Sequence, residues 1–360
     1  VSLSKVVKKT TGVGKHTVEM IKALSKEDKV SVILFGSYEV ENNTDYVFKN
    51  LGFLSLPFKV KFLELSWKIF KAPNIDKFLP KVDAIYIPGE EHVISSNFKI
   101  FYTIHDTYQF IEQKFNLRKI LLKKAYKWYI REKVEKVLTV SEFSKNEISN
   151  ILKINSKDIT VLGNSLGFNK DSYEENEIGS LISNDKNYIV IGGPIHIKKG
   201  GESIIKLCIA LEKKRSDLNI YITGGLDQKY QHMFREAKLT NTKIFSILAS
   251  NDIIKLIKNA LCYIQLSNFE SFGIMVIEAM YLGTPVIINN APGLLEISKG
   301  NSIICNNDDK NDIISKIELL ENNNDYRNEM VKKGIVHASK FNWSSLAKLL
   351  VDDIKKTIKI

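Results

Sequence analysis

Cysteine is scarce: Cys208, Cys262 and Cys305 are the only three in 360 residues. Their number is odd, they lie far apart, and none has the spacing of a metal site, which excludes a disulfide framework and a structural zinc. They are expected as reduced thiols in the core of a cytoplasmic protein. Long apolar runs are also missing. None approaches the ~18–20 residues that span a bilayer. No charged region precedes a long apolar one near Val1-Ser2-Leu3, so no secretory signal is expected there. Short internal repeats, a low-complexity tail and a carboxylate cluster are absent, and no metal is expected.

Hydrophobic residues make up 44% of the chain, enough for each half to bury a core of its own. At ~100–200 residues per domain, this length suggests two domains. The net charge of +11 is unevenly distributed: residues 1–165 hold 27 Lys and Arg against 18 Asp and Glu, and the remainder 25 against 23. A basic face of this kind attracts nucleic acid, anionic lipid or an acidic substrate, or is simply a solvated Lys-rich surface.

Short apolar runs alternate with helical patterns. The first half has runs at 30–35, 84–87, 100–104, 137–140 and 159–162. The second has them at 188–191, 220–223, 244–248, 261–266, 286–288 and 302–305. Most are apolar at successive positions, the pattern of strands buried on both faces of a parallel sheet. Helices are expected at 17–26, 119–135, 202–215 and 252–259, with a closing helix at 344–357. This order gives right-handed strand–helix–strand units. The polar stretch 167–187 has no sustained period and is expected as a linker. The first domain needs a strand before Gly12, and only Val1-Ser2-Leu3 clearly offers one.

One segment is more informative than the rest: Ser267-Asn268-Phe269-Glu270-Ser271-Phe272-Gly273-Ile274-Met275-Val276-Ile277-Glu278-Ala279-Met280-Tyr281-Leu282-Gly283-Thr284-Pro285-Val286-Ile287. A strand ends near Leu266, a polar loop follows, and a helix runs from about Gly273 to Leu282, with Gly283 and Pro285 as stop signals. Ligands of open α/β sheets sit outside the carboxyl ends of strands, where this loop falls. Gly273 allows close backbone approach, and the first helical amides favour a phosphate. Eight helical residues span ~12 Å, against the ~5–5.5 Å between the carboxylates of a retaining glycosidase. Glu270 and Glu278 therefore suit two separate binding tasks along one extended ligand. An idle carboxylate at Glu278, amid Ile277, Ala279 and Met280, would be costly.

This segment resembles the E-x7-E signature of the retaining GT-B glycosyltransferases of family 4 (glycosyl transferases group 1, mannosyltransferase-like). The resemblance continues through Gly12-Val13-Gly14-Lys15-His16-Thr17, a Gly-rich loop leading into a helix, and Thr103-Ile104-His105-Asp106, a strand end. It further includes Val140-Ser141-Glu142-Phe143-Ser144-Lys145 and Phe341-Asn342-Trp343. It implies an α/β chain of two Rossmann-like, doubly wound domains facing a central cleft. An acceptor-side domain at 1–166 would be followed by a donor-binding domain at 167–343 and a closing helix at 344–360. It also implies that Glu270 contacts hydroxyls of the donor sugar and that Glu278 holds the nucleotide ribose. The amides of Phe272, Gly273, Ile274 and Met275 would cradle the diphosphate, with His105 on the donor sugar. Gly12 and Gly14 would let the backbone approach the donor diphosphate or the acceptor.

The segment Gly12–Thr17 is not a Walker phosphate loop, because Lys9 and His16 stand where that pattern needs Gly and Ser or Thr. In Gly192-Gly193-Pro194-Ile195-His196-Ile197-Lys198-Lys199-Gly200 the family has an Arg and then a Lys-Gly, both on the diphosphate. Lys199-Gly200 matches the second pair, while Pro194 stands at the Arg position, which leaves Lys198 or a first-domain residue to compensate, or a weak enzyme. Gly224-Gly225 is expected to border the base, and Glu296 resembles a family Glu in the loop after the Pro-Val strand. Residues 114–136 carry nine basic side chains with interleaved Phe115, Leu121, Leu122, Trp128 and Tyr129. That pattern suits a core-packing helix whose basic side meets anionic lipid.

The expected activity is hexosyl transfer from a UDP or GDP sugar to an acceptor hydroxyl, without a further cofactor. Glu270, His105 and Lys199 are its catalytic candidates. The expected acceptor is lipid-linked or a polysaccharide of the bacterial envelope. Peripheral contact with the inner membrane face is expected through the basic N-terminal domain, and nucleic acid is not an expected partner. The rivals are a non-catalytic GT-B subunit binding a partner or acceptor, and another GT-B enzyme such as a sugar-nucleotide epimerase or a phosphorylase.

Overall fold

A computed structural model describes residues 1–3, 12–40, 48, 51–89, 91–111, 117–168, 187–246, 248 and 250–359. They form two compact units, Val1–Gly167 with Asn342–Ile360, and Phe168–Phe341. The last helix therefore belongs to the first unit rather than standing as a closing element of its own. Most of the expected linker, 169–186, lies outside the described residues.

In the first unit, β3 (Ala84–Ile87), β4 (Lys99–Ile104), β5 (Lys136–Thr139) and β6 (Ile159–Val161) form a parallel sheet in that order. A second parallel pair, β1 (Leu34–Ser37) and β2 (Phe53–Leu56), lies beyond it. Residues 1–3 join the two: Ser2 N–H donates to Tyr86 O, and Leu3 N–H donates to Phe35 O. Successive strand residues enter different cores. Ile85, Ile100, Tyr102 and Val137 face one cluster, and Tyr86, Phe101 and Leu138 face the other. Both faces are covered, which explains why these strands are continuous apolar runs in the sequence.

On one face lie α1 (Gly12–Leu24) and α12 (Trp343–Ile358), packed through Met20, Leu24, Ala347 and Leu350. On the other lie α2 (Val60–Ile69), α3 (Leu117–Lys133) and α4 (Glu142–Leu152), through Trp67, Tyr129 and Leu152. Three expectations need correction. The first strand after α1 begins at Leu34, later than the 30–35 run, because pairing starts where residues 1–3 lie alongside. Strand β2 has no counterpart among the apolar runs of the sequence. The helix α1 takes in Gly12 and Gly14, so the expected glycine loop is already the helix's first turn. In α3, Tyr126, Tyr129 and Ile130 are buried while Leu121 and Leu122 are exposed, so its apolar residues divide between core and surface. Residues 114–116 of that expected helix lie outside the described residues.

The second unit holds one six-stranded parallel sheet, ordered β12 (Ile303–Cys305), β11 (Val286–Asn289), β10 (Tyr263–Gln265), β7 (Tyr188–Gly192), β8 (Asn219–Thr223), β9 (Thr242–Phe245). Its helices are α5 (Gly201–Lys214), α6 (Gln228–Ala237), α7 (Ser250–Lys258), α8 (Ile274–Tyr281), α9 (Pro292–Ser298), α10 (Lys310–Asn322) and α11 (Asn324–Ala338). The chain moves outward from β7 in both directions, so the switch point lies between β7 and β10. All three cysteines are free and buried here, and burial pushes the Cys208 and Cys305 thiols up to about 12. Among the described residues no helix is long and apolar enough to cross a membrane.

Gly36 marks where β1 meets residues 1–3: a Cβ there would stand 2.6 Å from the Leu3 carbonyl oxygen. The Leu3 backbone, with the Phe53 ring 3.4 Å away, leaves little room to give. Gly36→Ala is expected to lower unfolding free energy by about 1–3 kcal/mol, the cost of overpacking. Gly52→Ala, where a Cβ would meet nothing within 4 Å, should change it little. Urea titration of both variants measures the contrast, and equal stability would refute the close-approach account.

Candidate functional site

In the second unit, the loops that follow β7, β8 and β10 meet at the carboxyl edge of the sheet. Ile195 N–H donates to Gly225 O, and Asp227 N–H donates to Ile195 O, which sews the first two loops together. Asn268 N–H donates to Lys198 O at 2.9 Å, which ties the third to the first. The contacts are close enough to require glycine. A Cβ on Gly193 would sit 2.1 Å from Thr223 O, and one on Gly200 would sit 2.1 Å from Leu266 O. Gly200 is also left-handed, at φ +73°.

This stitching brings Lys199, at the end of a single 3-10 turn, against Glu270, 71 residues later. Their ammonium and carboxylate form a short ion pair whose side chains are 18% and 13% exposed. Behind it runs a chain of donors. Tyr263 O–H donates to Gln265 Oε1 at 2.7 Å, Gln265 Nε2 to Ser267 Oγ at 2.7 Å, and Ser267 O–H to Glu270 Oε2 at 3.1 Å. Asn289 Nδ2, at the end of β11, holds the Ser267 carbonyl at 3.0 Å. Burial, followed by the negative charges of Glu270 and Glu278, pushes the Tyr263 phenol well above its ordinary range. The phenol therefore remains a donor, with both glutamates in its electrostatic neighbourhood. Gly192 makes room for this chain, since a Cβ there would lie 2.0 Å from Tyr263 Oη.

Gly273 turns the loop into α8 at φ +86°. Phe272 is buried, and Gly273, Ile274 and Met275 are half-buried. In the first turn of α8 the Val276 N–H donates to Gly273 O at 2.9 Å, while the amides of Ile274 and Met275 have no intrahelical acceptor by construction. Glu278 lies inside α8, 3% exposed. Lys198 Nζ lies 5.1 Å from the centre of the Phe269 ring. Burial is the first cause that lowers the His196 pKa; Lys199 and Lys198 add to it, and Asp227 and Glu270 oppose. Gly224, left-handed at φ +82°, backs onto Pro194. Glu296 falls on α9, not in a loop, because Pro292 starts a helix directly after β11. No motif marks Tyr263, Gln265, Ser267 and Asn289. Their signal is polar residues at alternate positions leaving β10, and one at the end of β11.

In the first unit, His105 lies just past β4, and its imidazole Nε2 is 2.7 Å from Pro88 O. The His16 ring, one turn beyond Gly12 on α1, meets it edge-on at 4.8 Å. His16 is fully buried, with Nε2 3.1 Å from Tyr86 Oη, and Trp343 at the start of α12 closes on it at 5.4 Å. Trp343 Nε1 in turn donates to Leu166 O. The glycine turn of α1 and the strand end at His105 are therefore neighbours at one edge of this sheet. Two motif segments have a structural task here. Ser141 caps α4 by accepting from Ser144 N–H, and Asn342 caps α12 by accepting from Ser345 N–H. Among the described residues no group of three or more His, Cys, Asp or Glu side chains is placed to hold a metal ion.

Comparison with known proteins agrees with this architecture. Residues 10–166 match the model of "Glycosyltransferase Family 4", and residues 172–337 match that of "Glycosyl transferases group 1". The O-antigen chain mannosyltransferase RfbU of Salmonella typhimurium is 25% identical over 333 residues, 88% of this chain and 89% of that protein. The D-inositol 3-phosphate glycosyltransferase of Paenarthrobacter aurescens is 26% identical over 48% of this chain, and the match spans only 45% of that relative's length. In structure, Anabaena HepE in complex with UDP and glucose superposes with a TM-score of 0.72 at 15% identity, covering 99% of this chain and 98% of the other.

The buried His16 makes a testable demand on stability. Burial first, and then the charge of His105, lower its pKa well below 6.5, against a raising hydrogen bond from Asn164. The folded state thus keeps the ring neutral while the unfolded chain protonates it. Stability must therefore fall as pH drops below about 6.5, by up to ~1.4 kcal/mol per pH unit for one proton. His16→Gln should flatten the stability profile below pH 6.5 relative to the parent chain. Parallel profiles from chemical denaturation would show that His16 takes up its proton in both states.

Proposed function

The chain belongs to the family 4 glycosyltransferases (glycosyl transferases group 1), with their two-domain α/β GT-B fold, and on that premise we propose that it moves a hexosyl group from a nucleoside-diphosphate sugar to an acceptor hydroxyl, with retention at the anomeric carbon. The observation that carries this is the Lys199–Glu270 pair at the carboxyl edge of the second sheet, with the first turn of α8 starting four residues after Glu270. A cation beside a helix N-terminus suits a diphosphate that gains charge as the glycosidic bond breaks. Glu270 takes hydroxyls of the donor sugar, and Glu278 takes the ribose. Phe272, Gly273, Ile274 and Met275 line the diphosphate, while His105, Gly12 and Gly14 serve from the first unit. The donor is a UDP or GDP sugar; the UDP and glucose bound by HepE support the former. The acceptor is a lipid-linked or polysaccharide chain of the envelope, taken by the basic N-terminal unit at the inner membrane face. The name of RfbU and the excess of 27 Lys and Arg over 18 Asp and Glu in residues 1–165 support that.

Pro194, at the position where the family resemblance expects Arg, favours one second reading: a non-catalytic member that binds a partner or an acceptor. A new glycoside formed from donor and acceptor excludes that reading and the epimerase alternative together; release of free nucleoside diphosphate excludes only the non-catalytic one.

A thermal-shift screen of nucleoside-diphosphate sugars tests donor binding directly. A true ligand at about 100 times its dissociation constant adds ~2.7 kcal/mol of stability. Glu278→Ala should then weaken nucleoside-diphosphate binding in calorimetry, while Glu270→Ala lowers turnover. Lys199→Ala should lower turnover by on the order of 10²–10³, the scale for one preorganised contact to the transition state. Unchanged nucleotide affinity in Glu278→Ala, or normal kinetics in Lys199→Ala, would remove the corresponding role.

A further inference from the structure

The most exposed apolar surface in the described residues of the first unit is not on the basic helix α3 but on α2 and its end. Phe70 is 72% exposed, Ile69 58%, Leu65 57% and Phe62 54%. At 100° per residue, Phe62, Leu65 and Ile69 fall within a 60° arc of α2, and Phe70 follows at its C-cap. The adjoining arc, Leu63, Ser66 and Trp67, is buried, with Leu63 and Trp67 in the core. This inner face is firmly held. Trp67 Nε1 donates to Pro73 O at 2.9 Å and Ser66 O–H to Ala72 O at 2.6 Å, so the outer stripe is presented on a fixed support. Phe58 stacks on Phe62 at 5.6 Å and steadies the near end.

The border of the stripe is cationic. Lys59, Lys61, Lys68 and Lys71 are all exposed, and Glu64 is the one acidic residue between 57 and 75. Lys71 Nζ lies 3.7 Å above the Trp128 ring of α3, which joins this surface to the helix that exposes Leu121, Leu122 and Lys124. Four large apolar side chains facing water need cover. A second copy of the same face is a poor cover, because a two-fold contact would set its lysines against their symmetry mates. A bilayer of anionic lipid matches both features. The apolar side chains enter the acyl boundary while the lysines remain among the phosphates.

We propose that α2 is an interfacial helix through which the first unit docks on an anionic membrane, by inserting Phe62, Leu65, Ile69 and Phe70 between headgroups held by Lys59, Lys61, Lys68 and Lys71. This deepens the proposed membrane-side acceptor by naming its surface, yet it can fail without sugar transfer failing.

The test uses the full chain and vesicles of phosphatidylcholine with or without phosphatidylglycerol. Since the three native cysteines are buried, Leu65→Cys can be labelled selectively with an environment-sensitive fluorophore. Its emission should shift to the blue on anionic vesicles and remain unchanged on neutral ones. In co-sedimentation, the double variant Leu65→Ser, Ile69→Ser should lose tenfold or more of its anionic-vesicle partition, with an unchanged melting temperature because both side chains point to water. Lys61→Glu with Lys68→Glu should lose at least as much at low salt. The proposal is overturned if the parent chain ignores anionic vesicles, or if the stripe variant binds as the parent does. It is also overturned if the stripe instead supports a self-association that ultracentrifugation detects and the double variant abolishes. A nucleotide-sugar thermal shift on the same variant keeps the two proposals apart: it should persist when docking is lost.

Discussion

The architecture of the second unit depends on how closely backbone can approach backbone at the carboxyl edge of its sheet. A Cβ on Gly193 or Gly200 would lie 2.1 Å from a carbonyl oxygen, that of Thr223 at the end of β8 or of Leu266 just past β10, and one on Gly192 would lie 2.0 Å from the Tyr263 hydroxyl. With those three contacts, the loops after β7, β8 and β10 collapse onto one another. Lys199 and Glu270 then meet across 71 residues of sequence. Without them, Lys199 would sit on a loop with no fixed relation to the polar segment before α8. Parallel topology does the rest. Every strand of this sheet ends on the same edge, so each loop adds its polar groups to one neighbourhood.

The first unit uses a side chain where the second uses glycines. His16 on α1 touches Tyr86 on β3, His105 beyond β4 and Trp343 on α12. An imidazole can do this because it pairs one nitrogen with the tyrosine hydroxyl while its ring edge packs like an apolar group. The cost is a ring kept neutral by burial. In return, α12, which is distant in sequence, is registered against the edge where α1 begins.

Much of this was legible in the sequence. The strands at 84–87, 99–104 and 188–192 announce themselves because both faces of a parallel strand are buried, so hydrophobicity is continuous. The loop at 267–273 and the helix after it were legible from a glycine placed to turn left-handed, followed by an apolar run ending in Gly283 and Pro285. Strand β2 was not, since Phe53–Leu56 is only partly buried and short. Gly12 and Gly14 read as a loop because glycine weakens helix propensity, yet packing of α1 against β3 and α12 overrides that preference. The Lys199–Glu270 pairing has no local signature, and the alternating polar residues that leave β10 do not reveal what they bond. Both sets of contacts arise from strand order, and a polar residue at the end of a strand looks the same whether it faces water or a neighbour.

The direction of that donor chain constrains the proposed chemistry. Tyr263, Gln265 and Ser267 each donate toward Glu270, so the carboxylate keeps the Ser267 hydroxyl as a partner if Lys199 turns to another anion. An incoming diphosphate could therefore recruit Lys199 without stranding a half-buried charge, which would otherwise cost several kcal/mol. Glu270, released from its ion pair, would then be free to accept from sugar hydroxyls. One exchange of partners would thus serve both ends of the donor, and the pair seen between Lys199 and Glu270 would be the resting arrangement of two groups that later separate. Glu278 has no part in such an exchange. It is fixed within α8 and buried, which suits a contact that holds the nucleotide steady while charge moves at the other end of the ligand.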